Sequence, residues 1–416
     1  MAAVAVESDV LALHGGPKAK PTPYGTGLRF GEEELAQLRE ALAQNTLFYA
    51  SGKKVKEFTA RFAKRYGAQH AIACSSGTAA LHIALGACQI KPGDQVITSS
   101  ITDVGTCSAI LLCGAVPVFA DLDPRTYTMD PASVEKLIGP KTTAILAVHL
   151  TGAPCDMDAL KKIAQRHDLW LVEDCAQAYH SEYHGKFCGT LGDIGCFSLN
   201  DFKHISAGDA GMVLTDNPEL ADRATLFSDK CYDRNPATAR NPFFMAPNYR
   251  MCELHGAVAL AQLEKLDSIV ARRRSYGDAL GAGVEGLPGI YPQAFNSGGK
   301  GSYWFYLFRI DPKVLGPRKA FVDALVAEGV SATNGYVDRA TYLYDLFVKR
   351  QGFGGSDFPF SLAPEIQYRP GLCPTAEAIV ADCVKLPVNE FFTREDCEQT
   401  LSGIRKVVKH FAKQAR

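Results

Sequence analysis

The chain has 416 residues, of which 47% are hydrophobic and 21% charged, and its 44 Lys and Arg nearly cancel its 45 Asp and Glu. That composition can build a globular core and excludes disorder, collagen and coiled coil as the dominant class. The balanced charge argues against a general affinity for nucleic acid or for an anionic membrane surface.

Residues 1–30 read as an extended arm, because Gly15-Gly16-Pro17 and the prolines at 21 and 23 oppose a helix there. Glu7 and Asp9, with no basic-then-apolar leader, predict a cytoplasmic protein without a signal peptide. Thirteen cysteines, an odd number with no C-x-x-C pair, support neither a disulfide framework nor a zinc ribbon and read as buried thiols of a reducing cytosol. Apolar spacing predicts amphipathic helices over 32–44 and 53–66. From residue 70, strand-like runs at 71–74, 95–99, 116–122, 143–149, 169–174, 196–199 and 212–215 alternate with helical patterns at 78–88, 103–113 and 157–167. The apolar stretch 104–120 is broken by Gly105, Gly114 and Pro117, so no membrane span is expected. Alternation of this kind implies an α/β fold with a largely parallel sheet covered on both faces. Further on, a long helix is expected at 253–280, a strand at 303–310 and a helix at 318–328. A loop rich in Gly, Pro and aromatics is expected at 351–372. The chain divides into an arm (1–30), a large domain (31–280) and a smaller C-terminal α/β domain (281–416).

Three stretches have chemical potential. Ser75-Ser76-Gly77-Thr78 follows a strand and opens a helix, where free N–H groups, the helix dipole and a glycine suit a phosphate or a plain N-cap. Glu173-Asp174-Cys175-Ala176-Gln177 lies at the carboxyl end of a strand, the place where open α/β sheets bind ligands; Asp174 there can anchor a protonated ring nitrogen or cap a helix. Ser198 and Lys203 stand five residues apart on the next strand-to-loop junction. A lysine amine forms Schiff bases with carbonyl compounds, and a serine donates to phosphate.

In that order, phosphate cradle, ring-nitrogen carboxylate and Schiff-base lysine are far more specific than any one of them. The chain resembles the DegT/DnrJ/EryC1/StrS family of sugar and cyclitol aminotransferases, from residues 11–17 (LALHGGP) to 386–393 (LPVNEFFT). Its markers include SSGTAALHIAL (75–85), GAVPVFADLDP (114–124), VEDCAQA (172–178), GDIGCFSLNDFKHISAGDAGM (192–212) and NYRMCELHGAVALAQLEKLD (248–267). The resemblance implies the fold type I architecture of aspartate aminotransferase and pyridoxal 5'-phosphate as cofactor, with pyridoxamine phosphate as its intermediate. It implies that Lys203 holds the cofactor and moves the proton, and that Asp174 pairs with the pyridinium nitrogen. Gln177 would meet the phenolic oxygen, Ala176 one ring face, and Gly77, Thr78 and Ser198 the phosphate. Asn248 would reach that phosphate across the interface of a homodimer with shared active sites. The implied reaction moves an amino group from L-glutamate or L-glutamine to a keto sugar, cyclitol or related ketone.

The chain departs from the family pattern at Thr102-Asp103-Val104-Gly105-Thr106, where Asp103 replaces a ring-stacking aromatic, and at Leu199-Asn200-Asp201 before the lysine. These changes keep a second reading open: a dehydration, elimination or carbon–carbon step on a sugar-like substrate. Some members of the wider family are dehydratases with His at the lysine position, but the Ser-x-x-x-x-Lys spacing places Lys203 there and His204 after it. Asp103, His204 and Arg234 are the candidates for substrate contact, Arg234 from a polar loop (229–247) that also carries Arg240. His180 and His184 stand at metal-pair spacing but on a loop, so no metal site is expected. Trp304 or a neighbour in its strand could line the pocket.

Overall fold

A computed structural model describes residues 9–235, 237–238 and 241–414; residues 1–8 of the arm lie outside it. The strands up to residue 215 are β1 (His70–Cys74), β2 (Gln95–Ser99), β3 (Val116–Ala120), β4 (Thr142–Val148), β5 (Trp170–Asp174), the short hairpin β6 (Glu182–Tyr183) and β7 (Lys186–Phe187), β8 (Ile194–Ser198) and β9 (Gly211–Thr215). Seven of them form the central sheet in the order β1-β9-β8-β5-β4-β2-β3. The neighbours from β8 across to β3 pair in parallel, and β9 runs antiparallel to both β1 and β8. The expected largely parallel sheet is therefore present, with β9 as the reversed strand. In β2, β3, β8 and β9 every residue is buried, which is why they show no alternation of apolar and polar positions.

Helices α1 (Glu32–Ala43), α2 (Lys54–Tyr66), α3 (Gly77–Ala87), α4 (Val104–Leu112), α5 (Pro131–Leu137), α6 (Met157–His167), α7 (Pro218–Ser228) and α8 (Glu253–Val284) accompany the sheet. Two of them, α5 and α7, add to the expected set. Each begins with an acidic or amide cap followed by proline: Asp130 accepts from the Ala132 N–H, and Asn217 from those of Glu219 and Leu220. On α2, Phe58, Phe62 and Tyr66 recur at helical spacing and point inward, with the Phe62 ring edge-on to Phe197 of β8 at 5.3 Å. This packing fixes the strand that ends in Ser198.

The C-terminal part adds β10 (Ile290–Pro292), β11 (Gly299–Lys300), β12 (Phe305–Ile310) and β13 (Cys383–Pro387). An antiparallel sheet β10-β12-β13 is covered by the helices Arg318–Ala327 and Arg394–Gln414 and by the end of α8, and β11 extends the hairpin β6–β7. Residues 351–372 are irregular but not a loose loop. Phe360 and Tyr368 are buried with Phe347 and Phe119 against the central sheet, because their rings supply enough apolar surface to hold the segment down.

The arm is pinned to the C-terminal helix. Lys20 Nζ, buried, lies 2.6 Å from Asp396 Oδ1, and Asp396 Oδ2 accepts the N–H groups of Gly25 and Thr393. Burial pulls the Asp396 carboxyl up, but Lys20 and these donors outweigh it and hold the group down at about 2. A carboxyl lowered on folding stabilises above its unfolded value and loses that contribution as pH falls through its folded value. Asp396→Ala is therefore expected to cost about 3 kcal/mol at neutral pH, because it strands a buried ammonium. The urea-midpoint gap between wild type and variant should narrow as pH falls from about 4 to about 2.

Candidate active site

The site is built at the carboxyl ends of the parallel strands. Where β1 turns into α3, Ser76 adopts extended backbone and its Oγ accepts the Ala79 N–H, which opens the helix. Gly77 follows, pressed against the end of β8: a Cβ there would stand 2.5 Å from Ser198 Cβ. Gly105, in the first turn of α4, is equally confined, since a Cβ would stand 2.7 Å from Thr78 Oγ1. Two helix N-termini and the Ser198 hydroxyl thus converge with only glycines where they touch. Such a cradle suits a phosphate.

Asp174, at the end of β5, is buried. Its Oδ2 accepts from Thr106 Oγ1 at 2.8 Å and its Oδ1 from the Ala176 N–H at 3.1 Å. Burial raises this carboxyl, against the Ala176 and Thr106 hydrogen bonds and the charge of Lys203. A carboxylate held in that state gains from a cationic partner, and a protonated pyridine nitrogen is one.

Lys203 sits in the turn after β8. Arg29, from the arm, donates to the carbonyls of Asp201, Lys203 and His204 and holds the turn. The Lys203 ammonium lies over the Trp304 ring, 3.8 Å from its centroid, while Trp304 Nε1 donates to the Phe202 carbonyl at 2.7 Å. Burial lowers the amine, and Asp174 and Asp103 oppose that shift. A desolvated amine yields its proton more readily and becomes a nucleophile.

Gln177 is oriented by its surroundings: Oε1 accepts the Thr151 N–H at 2.7 Å, which turns Nε2 toward Tyr336 Oη, 3.4 Å away. Asp103 caps α4 through the Gly105 N–H at 2.8 Å and is exposed at the mouth of the site.

Gly77, Thr78, Asp174, Ala176, Gln177, Ser198, Lys203 and Asp103 are thus gathered in one region. His204 is not: it is fully buried, with Nε2 3.0 Å from the Ser302 carbonyl and its ring beside Tyr179. As a substrate contact it is corrected, because the turn that presents Lys203 directs the next side chain into the core. Arg234 is held by Asp229 through Nε at 2.6 Å and Nη2 at 2.8 Å, and Arg250 and Tyr49 share the same carboxylate. Asn248 forms a backbone bridge with Asp229, and Arg250 one with Cys74 at the end of β1. Arg240 lies outside the described residues.

Arg29, Thr106, Thr151 and Tyr336 escape the sequence reading. None carries a motif, and each acts through a contact made by the fold. A buried group behind the site could be mistaken for a metal centre: ligand atoms of His149, Glu173 and Cys175 lie within 4.8 Å of one another. Its polar atoms are committed to the protein. Glu173 accepts from His149 Nε2 and from the N–H groups of Gly189, Leu191 and Gly192, and His149 Nδ1 accepts from the Cys155 N–H. The cluster buttresses the strand that carries Asp174. His180 and His184 turn to different partners, Asp267 and Asp158.

A model of the DegT/DnrJ/EryC1/StrS aminotransferase family matches residues 29–405. The spore coat polysaccharide biosynthesis protein SpsC of Bacillus subtilis is 32% identical over 93% of this chain and 97% of its own length. A putative L-glutamine:3-amino-2,3-dideoxy-scyllo-inosose aminotransferase of Streptoalloteichus tenebrarius is 34% identical over 77% of this chain and 78% of its own. Among solved structures, 3-amino-5-hydroxybenzoic acid synthase superimposes with a TM-score of 0.81 at 29% identity, covering 93% of this chain and 99% of that one. No helix among the described residues is long and apolar enough to cross a membrane.

Proposed function

The chain belongs to the DegT/DnrJ/EryC1/StrS aminotransferase family, and from that premise we propose that it transfers an amino group from L-glutamate or L-glutamine to a keto sugar or cyclitol in a biosynthetic pathway. The observation that carries this reading is the partly desolvated Lys203 amine, over the Trp304 ring and within the field of Asp174.

The residues fit pyridoxal phosphate: a glycine-lined anion cradle at one end and a buried carboxylate with a raised pKa at the other. When bound, the cofactor supplies a carbonyl that exchanges for an amine and a ring that accepts carbanion charge. Ser198, Thr78 and the α3 N–H groups bind its phosphate. Asp174, steered by Thr106, keeps the ring nitrogen protonated. Lys203 would anchor the cofactor and carry the proton to and from the donor Cα through Nζ. Trp304 covers that amine and excludes water from one side. Asp103, with no ring to stack, presents its carboxylate to the substrate.

We infer a cytoplasmic homodimer with shared active sites, Asn248 of each subunit reaching the phosphate in the other. Large apolar side chains on the surface support the dimer: Leu28 is 91% exposed, Phe243 73% and Met245 96%. Light scattering on the holoenzyme should return twice the 45.0 kDa chain mass, and a monomer would reject the shared site. For the reaction, absorbance of the purified holoenzyme is followed on adding L-glutamate or L-glutamine. Conversion of the yellow band to the pyridoxamine band is expected with at least one of them. A yellow band indifferent to both would reject the amino-donor assignment.

A further inference from the structure

Tyr336 lies in the turn that follows the Thr333–Lys385 bridge, more than 130 residues beyond Lys203 in the chain. Its ring is wedged between Trp304 (centroids 5.6 Å, nearly perpendicular) and Phe305 (5.0 Å), so its hydroxyl has little freedom to wander. The bonding of that hydroxyl is half spent. Gln177 cannot flip, because its Oε1 is committed to the Thr151 N–H, so the atom facing Tyr336 is the amide nitrogen, a donor. Tyr336 Oη therefore accepts, and its own proton is left to give. Among the described residues no acceptor is within reach of it. Burial and the negative charges of Asp103 and Asp174 all push this phenol upward, so it remains protonated at working pH.

Tyr336 is half-buried, and an O–H that no protein group accepts is free to complete the hydrogen bonding of a ligand beside it. The cofactor ring has three polar attachments. Asp174 would hold its nitrogen and the cradle its phosphate, which would leave Gln177 for the phenolic oxygen. We propose that Tyr336 is a second donor to that phenolic oxygen, alongside Gln177 Nε2, and that it sets the pH at which the lysine-bound cofactor loses its proton. This inference rests on the functional reading above. The lysine-bound form shares one proton between nitrogen and phenolic oxygen. An outside donor stabilises the negative oxygen most when that shared proton has gone, so it favours the deprotonated state. The charged or titratable groups facing this end of the site are Asp103, Asp174, Lys203 and Tyr344.

The test is a spectrophotometric pH titration of the holoenzyme without substrate, for wild type and Tyr336→Phe, which keeps the ring packing and removes only the hydroxyl. The midpoint of the absorbance change should rise by about one to two pH units in the variant, the size of one hydrogen bond to a charged acceptor. Affinity of the apoprotein for pyridoxal phosphate should fall about tenfold or more. Equal midpoints in the two proteins would overturn the proposal. So would an unchanged titration accompanied by a raised KM for the keto acceptor, which would assign the O–H to substrate instead. Failure of wild type to take up the cofactor would strike the aminotransferase reading rather than Tyr336. Gln177→Leu supplies the companion measurement: it should move the midpoint in the same direction.

Discussion

Lys203→Ala is expected to lower turnover by about ten-thousand-fold or more, since in the proposed mechanism one side chain both anchors the cofactor and carries the proton. The visible band of the holoenzyme should disappear, while the noncovalent cradle of Gly77, Thr78 and Ser198 still takes up pyridoxal phosphate. The fold should not suffer. In the wild type the Lys203 ammonium is partly desolvated, and burial lowers its pKa, so removing it relieves a cost that offsets the lost contact with Trp304. The melting temperature of the apoprotein should stay level or rise slightly. A small primary amine added to the solution should restore part of the turnover by supplying a base. Lys203→Arg should stay inactive, because a guanidinium does not give up its proton at working pH. A variant that turns over at the wild-type rate would remove Lys203 from the mechanism.

Asp174→Asn carries the second large effect. The amide oxygen can keep the Ala176 hydrogen bond and its NH2 can donate to Thr106 Oγ1, but in the proposed mechanism its neutral group no longer holds the ring nitrogen protonated, and the electron-accepting character of the cofactor falls. A loss in turnover of roughly a thousandfold is expected, in the range found when a preorganised electrostatic partner is removed from a buried site. Stability should move the other way. Burial raises the wild-type carboxyl, and in the cofactor-free state the charge of Lys203 offsets that cost only in part. Asn at that position avoids this cost, so the cofactor-free variant should melt at the same temperature or higher. Calorimetry on apo and holo forms, with stopped-flow measurement of the glutamate half-reaction, separates the two effects. A variant with unchanged half-reaction rate would remove the carboxylate from the mechanism, whatever its stability.

The markers that read clearly in the sequence are those made locally. A strand end, a turn and a helix start lie within ten residues, so Ser76-Gly77-Thr78, Asp174 and Ser198 announce themselves by neighbours in the chain. Parallel strands buried on both faces, such as β3 and β4, leave apolar runs, and α2 leaves its Phe58–Phe62–Tyr66 stripe, because burial imposes those patterns directly. Residues 351–372 are the loop that the sequence leads one to expect, but their part in the core is not legible in it. Their glycines and prolines signal a loop, and only the neighbours Phe119 and Phe347 show that the aromatics among them form a core. His204 misleads, since which side of a turn a side chain takes is not written in its position beside Lys203.

By itself the sequence determines the order of the candidate groups: a glycine turn that opens a helix, then a carboxylate, then a lysine, each following a strand. Tertiary structure alone decides what tunes these groups. Arg29 of the arm, Thr106 of α4, Thr151 after β4, Trp304 before β12 and Tyr336 beyond it come from five segments spread over 300 residues, and they meet at Asp174, Gln177 and Lys203. Desolvation, hydrogen bonding and a π-face act only over a few ångströms, so they depend on how the sheet, the arm and the C-terminal strands close around one another, and no local pattern encodes them.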